Sequence, residues 1–498
     1  MVGNCDQLRP ICLNCQKSQR HCTGALSPFM KSVDFTRQGG PKRKGDMANQ
    51  KRDTTDLFSA MKIKDDARLE PQNHSDINTL NLISVSIPRQ PTITQSSLLT
   101  LALTDRLAKA SGSGFDLQNL GGYMPQISGR IGHNAALDAA VGCLLQGHAK
   151  LLRREPRRKT SGLDSYVQSL ALLRRDLEKI GKDPNIQAPE LVCVVIVLSI
   201  YELFKYETAR AWIAHAGGIS AIIKAWGPQQ IMSDFDMALF TAQYGSIVMG
   251  TLFSGQDCFL ATPEWDAVYK RCFRQQNPPD KISFDILEGL TTLSPLLRDT
   301  RTLLAAPSTD NSLVLLPSVV ARAEKLRVRI LRHSHQVESD FNDQGIVFYT
   351  VAAAGSPGFL QRELWFCNHK VAMRYGLYWA STIIAARILQ RLHSLQDPNS
   401  PLVVAFEEEI QSCALKIMQS VVYLRTFAPF GALYMTFALH VVSAVTKPQS
   451  TRLWVRDALK ELLAALEFDV EVNQMAFVGE LLTGGCIQLP FIGKATNN

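Results

Sequence analysis

Cys5, Cys12, Cys15 and Cys22 fall within eighteen consecutive residues, embedded as CDQLRPICLNCQKSQRHC, and are four of the eleven cysteines in the 498-residue chain. A Cys-x2-Cys pair lets two thiolates converge on one tetrahedral Zn(II), at Zn–S distances of about 2.3 Å, and flanking cysteines can complete the shell. A peptide this short has little core of its own, so the metal would supply most of its folding free energy, on the order of 10–16 kcal/mol in comparable sites. The opening MVGNCDQLRP has no apolar signal-peptide core. A secreted disulfide framework is therefore disfavoured against metal binding in a reduced, intracellular setting. The remaining cysteines (Cys143, Cys193, Cys258, Cys272, Cys367, Cys413, Cys486) are scattered among mostly apolar neighbours, as buried free thiols are. His333-Ser334-His335 reads as an isolated pair without nearby carboxylate partners, a surface feature of a helix.

The spacing Cys5-x6-Cys12-x2-Cys15-x6-Cys22, with Pro10 in the loop, resembles the second half of the fungal binuclear zinc cluster (Zn2Cys6) of transcription factors. The resemblance implies that Cys5, Cys12, Cys15 and Cys22 are metal ligands, corresponding to the third to sixth cysteines of that pattern. The family's first Cys-x2-Cys, and the basic helix that enters the major groove, have no counterpart before Cys5. Four sulfurs cannot complete the family's two tetrahedra. The expectation is one partial zinc site, or two only if the missing N-terminal half is restored. An incomplete N-terminus, from a misplaced start or a missed exon, is the favoured explanation, and a degenerate DNA-binding domain is the alternative. Arg9, Lys17 and Arg20, with His21 beside them, are left to touch phosphates, which positions a protein on DNA without reading its sequence.

Charge follows the same map. Through residue 52 the basic side chains outnumber the acidic ones ten to three, so +7 of the net +8 lies in this arm. Lys42, Arg43 and Lys44, followed by Lys51 and Arg52, read as a nuclear import signal or a phosphate-contacting arm. The run Arg153 to Lys159 reads as a solvated loop between helices. From 25 to 98 no helical or alternating apolar period is sustained, so this is expected to be a disordered basic and polar linker, without a coiled-coil dimeriser beside the cysteines. The longest strongly apolar run, Leu191 to Tyr201, is too short to span a bilayer, and no membrane association is expected.

The period then becomes helical. Tyr166, Leu170, Leu173, Leu177 and Ile180 recur at steps of four and three, with Arg174, Arg175, Glu178 and Lys179 outside the stripe; Val455, Leu459, Leu462, Leu463 and Leu466 repeat the pattern. Further helices are expected near 134–153, 188–206, 210–225, 233–254, 286–304, 316–338, 363–394, 402–425, 429–446 and 473–483. Strand-like runs such as Ile346–Val351 are too few for a sheet. The fold class is all-α: a cysteine module at 1–24, the linker at 25–98, and one large domain of packed helical hairpins at 99–498.

Three segments of that domain resemble the fungal-specific transcription factor regulatory domain: Arg130-Ile131-Gly132-His133-Asn134 through Val141; Trp212-Ile213-Ala214-His215-Ala216-Gly217-Gly218-Ile219 with Gly227-Pro228; and Pro263-Glu264-Trp265. Trp212 and His215 share a face, and Gly217-Gly218 is read as a packing device for close helix approach. P-loop, His-Glu-x2-His, Gly-x-Ser-x-Gly and Rossmann patterns do not occur. The aspartate-rich Asp65-Asp66 lies in the linker and not on a core helix, so no enzyme is expected. Glu467 to Val472 alternates acid with apolar, as activation segments and helix connections both do. The resemblance implies a nuclear transcription regulator whose partners are DNA (weakly or non-specifically for this chain), a nuclear import receptor, transcription machinery or co-regulators, and a second copy in a homodimer. The alternative is a protein-interaction or dominant-negative regulator that has lost its DNA reader.

Overall fold

A computed structural model describes residues 93–109, 114–153, 163–179, 188–205, 209–274, 280–307, 310–466 and 472–485. Side chains of 163, 205, 209–215 and 311–313 lie outside that description. The described chain is almost entirely helical. In order, the α-helices are α1 (Gln95–Lys109), α2 (Met124–Ile127), α3 (Ala135–Arg153), α4 (Leu163–Lys179), α5 (Ala188–Lys205), α6 (Ala209–Trp226), α7 (Asp234–Ser254), α8 (Pro263–Arg274), α9 (Lys281–Leu290), α10 (Leu293–Ala305), α11 (Asp310–Leu331), α12 (Ser334–Asn342), α13 (His369–Gln396), α14 (Pro401–Gln419), α15 (Val421–Arg425), α16 (Met435–Val445), α17 (Gln449–Leu462) and α18 (Val472–Leu482). Helix α1 takes in the last residues of the segment assigned to the linker.

Two helices have no water-facing side over much of their length. Every residue of α5 from Leu191 to Leu198 is buried, as is every residue of α13 from Tyr378 to Ala386. Helix α5 packs among α3, α4, α6 and α7; α13 is enclosed by α9, α10, α11, α14 and α16. Small residues in α13, among them Ala380, Ser381, Ala385 and Ala386, let these neighbours approach on several sides. Its first turn is capped by Asn368, whose side chain accepts from the Val371 amide at 3.1 Å.

The periodic stripes mostly hold. Val455, Leu459, Leu462, Leu463 and Leu466 are all buried. In α4, Leu173 is buried and Tyr166 and Leu170 pack on the core, but Leu177 is 36% exposed. Asp176 is buried in its place, beside the Asn134 side chain, and Ile180 lies outside the described residues. Several expected helices are broken by side chains weaker than proline. The 286–304 helix is two, α9 and α10, because Thr291 and Thr292 turn their hydroxyls back onto the Glu288 and Gly289 carbonyls at 2.7 and 2.9 Å. The 316–338 helix breaks at Arg332-His333 into α11 and α12, and the 402–425 helix at Ser420, whose hydroxyl bonds the Lys416 carbonyl at 2.8 Å. The start of the 363–394 helix is a strand instead. Residues 347–351 and 362–366 pair antiparallel in the register Val347–Phe366 to Val351–Arg362, so the Ile346–Val351 run does build a small sheet.

An early loop of the domain meets a segment late in the chain. Phe430 donates its amide to the Gly114 carbonyl at 3.1 Å, and the buried His148 ring lies 6.0 Å from both Phe204 and Phe430. Helix α18 docks on α16, where Gly479 abuts the His440 carbonyl and Ala444; Arg391 and Arg301 bind the closing Thr483 and Leu481 carbonyls. A Cβ built on Gly217 or Gly218 meets nothing within 4 Å. The close approach expected at that pair is therefore not made there; on the same helix Ala216 lies against Gly250.

Gly479→Leu should cost about 1–3 kcal/mol in urea unfolding, because backbone blocks its side chain. Gly217→Ala should be neutral or stabilise by up to about 1 kcal/mol through helix propensity. His148 supplies a pH test. Burial pushes its pKa down to about 4, against the hydrogen bond to the Phe115 carbonyl at 2.9 Å. The unfolded chain, with histidine near ~6.5, takes up the proton first, so stability is full above about pH 6.5 and is lost as pH falls toward 4. His148→Gln should flatten that fall when unfolding free energy is measured across this window.

Candidate functional site

The residues expected to do chemistry at the N-terminus, Cys5, Cys12, Cys15 and Cys22 with Arg9, Lys17 and Arg20, lie outside the described residues, as do Lys42, Arg43, Lys44, Lys51 and Arg52. The sequence places four thiols there, the number and softness of donor that one tetrahedral Zn(II) takes. Among the described residues, no group of three or more His, Cys, Asp or Glu side chains comes together to hold a metal ion. No described helix is long and apolar enough to cross a membrane.

The segments singled out in the helical domain form a structural corner. Asn134 caps α3, accepting from the Leu137 amide at 3.0 Å, and Gly132, at φ +94°, donates its amide to Asp138 at 2.8 Å. That turn projects Arg130 toward Glu190 of α5, 2.7 Å away, and lays its guanidinium 3.8 Å from the centroid of the Phe235 ring of α7. Gly227, at φ +89°, ends α6 and leads the chain into the cap of α7 at Ser233. Pro263 opens α8, and buried Trp265 stacks on Phe240 of α7 at 5.7 Å. These residues thus tie α3, α5, α7 and α8 together. The side chains of Trp212 and His215 fall outside the described residues.

A second constellation surrounds α9. Asp280 caps the helix and lies 3.0 Å from Nε of Arg374. Asp285 lies 2.9 Å from His333 Nε2, both buried, with Arg332 at 3.7 Å. Glu288 pairs with Arg329 and sits 3.5 Å from Lys270, which binds Asp266 at 2.7 Å. Burial raises the Glu288 pKa, helped by Asp266 and opposed by Arg329 and Lys270. Gly289 makes room for this belt, since a Cβ there would lie 3.1 Å from Arg329 Cδ. The reading of His333 as a partnerless surface residue is therefore corrected: the turn between α11 and α12 folds it inward onto Asp285, whereas His335 remains 97% exposed near Glu338. The clue was acidic residues spaced i, i+3 inside an otherwise apolar segment, Asp285 and Glu288.

Glu407 is a third hub. Burial pushes its pKa up, but hydrogen bonds from Gln390 and Gln411 and the charges of Arg387 and Lys447 outweigh it and hold the carboxyl at about 2. The thiols behave oppositely. Cys143, Cys193, Cys258, Cys272 and Cys413 are buried, and burial raises Cys143 and Cys272 to about 11 and Cys193 and Cys413 to about 12. Cys367 is exposed, and Cys486 lies outside the described residues.

Over 106 residues the chain is 30% identical to the uncharacterized protein AN5342 of Emericella nidulans, a match covering 20% of this chain and 23% of that protein. No protein-family model matches the chain, and no solved structure matches it.

Asp285→Ala should lower stability by about 1–3 kcal/mol, because His333 is left buried without its partner. Glu338→Ala, beside exposed His335, should stay within about 0.5 kcal/mol of the parent. Thermal melts of the two variants side by side test the distinction.

Proposed function

We propose that this chain is a nuclear transcription regulator of the fungal zinc-cluster type, with a cysteine module that binds zinc and DNA phosphates and a helical domain that regulates it. The observation that carries the reading is the Cys5-x6-Cys12-x2-Cys15-x6-Cys22 spacing within a strongly basic arm, ahead of an all-helical domain. The similarity to a fungal protein is compatible with it and names no activity. When bound, zinc would cross-link the four thiolates and so hold the module folded. Arg9, Lys17 and Arg20 then lie on or beside a fixed loop, where their charges displace counterions from the DNA backbone. Lys42, Arg43, Lys44, Lys51 and Arg52 serve nuclear import or extend that basic arm. In the helical domain, the Arg130 corner, the α9 belt and the Glu407 hub hold helices to one another.

The alternative, a regulator that acts through protein partners or as a dominant-negative form without reading DNA, draws on the same cysteines: four stand where the family has six.

Zinc stoichiometry on the purified chain separates the two. One zinc per chain, lost in Cys15→Ser, is expected. None favours the alternative, and two overturns the ligand set. In gel shifts with random duplex, three phosphate contacts give a log–log salt slope of about −3, so affinity should fall about 40-fold between 50 and 200 mM salt. Arg9→Ala should reduce that slope by about one. Tight, sequence-selective binding would contradict the phosphate-only role.

A further inference from the structure

The inner face of α11 is committed. Val319, Ala323, Leu326 and Ile330 are buried in the core, while Arg322, Arg327 and Arg329 are paired with Asp299, Glu409 and Glu288 on three other helices. The outer face carries a different pattern. Val314 is 81% and Val328 63% exposed, among the most exposed large apolar side chains in the domain, and Ala321 midway between them is exposed as well. Asp310 opens the helix and Arg332 follows its last residue; both are exposed. At about 100° per residue, Asp310, Val314, Val328 and Arg332 all fall within about 20° of the Ala321 direction, so the five form one line along the helix.

That line is symmetric about Ala321. Val314 and Val328 lie seven residues to either side, and Asp310 and Arg332 eleven. A two-fold axis through Ala321 would set Val314 against Val328 of the second copy and Asp310 against Arg332 of the second copy, each contact occurring twice, as a self-complementary interface requires. Parallel pairing would instead face Asp310 with Asp310 and Arg332 with Arg332. Alanine at the crossing point allows the close interaxial distance of about 8 Å found for small contact residues. Flanking Pro317 and Lys325 are equidistant from the axis and bring no further acid onto the seam. Arg332 is only loosely held within its own chain, 3.7 Å from Asp285 and with 60% of its side chain exposed.

We propose that a second copy of this chain docks here, through antiparallel two-fold pairing of the α11 helices. The inference gives a surface to the homodimer that the family resemblance implies, and rests on that expectation alone. A single-helix seam is smaller than a standard interface, so the dimer should be a weak, concentration-dependent one.

Sedimentation velocity of the full chain over a concentration series is the test. The parent should shift toward dimer with concentration, and Val328→Glu should remain monomeric with unchanged far-ultraviolet circular dichroism and melting temperature. Asp310→Arg and Arg332→Asp should each weaken association by about tenfold or more, since each creates two like-charge contacts. The double variant, which re-forms both pairs with the charges exchanged, should recover most of the loss. A parent that is monomeric throughout overturns the inference, and so does a double variant no better than the singles. A dimer indifferent to these substitutions but dissolved by EDTA also overturns the α11 seam, while leaving a homodimer joined through the cysteine module.

Discussion

A helix buried on every side must find a partner for each of its faces, and the domain is built around two such helices, Ala188–Lys205 and His369–Gln396. Neither can satisfy that demand with a two-helix hairpin. The second is long enough to meet five other helices, and its small residues decide how near they come. Each enclosed Leu, Ile or Val contributes about 1.5–3 kcal/mol of burial, against the entropy of ordering it. Several polar groups in this interior are held by partners on other elements: Arg387 and Gln390 meet Glu407, Tyr375 meets Asp340, and Asp285 meets His333. These pairs fix which helix lies beside which, a choice that apolar contact alone leaves degenerate.

The positions of the helices were largely legible in the sequence, because apolar spacing and proline or glycine punctuation report burial directly. Legibility failed at two kinds of place. Breaks made by hydroxyl side chains, at Thr291-Thr292 and Ser420, use bonds back to the preceding turn that continuing helices also tolerate. The ionic belt around Lys281–Leu290 was hidden because its charges look solvated when read one segment at a time; their partners come from other helices, Lys270 on the preceding one and Arg329 and Arg374 much farther along the chain. The cysteine module was the reverse case. The zinc reading there is drawn from one residue type and its spacing alone, because Cys5, Cys12, Cys15 and Cys22 lie outside the described residues.

The segments around Arg130, Gly227 and Trp265 serve the architecture of the domain. Arg130 serves at once as an ion-pair partner to Glu190 and as a cation over Phe235, so the turn before α3 is locked to two helices that it does not adjoin in sequence. Such residues constrain where helices cross. A ligand or partner that altered this corner would move α3, α5 and α7 relative to one another.

The raised pKa values of the interior thiols carry a chemical consequence for the whole chain. Cys143, Cys193, Cys272 and Cys413 keep their protons at neutral pH, and zinc captures thiolates. Folding therefore withdraws these four buried sulfurs from any soft metal ion in solution. If the domain opens, they become ordinary thiols, so the chain's appetite for zinc would rise as its native structure is lost. Metal uptake that appears only on unfolding would then register opening of the helical domain.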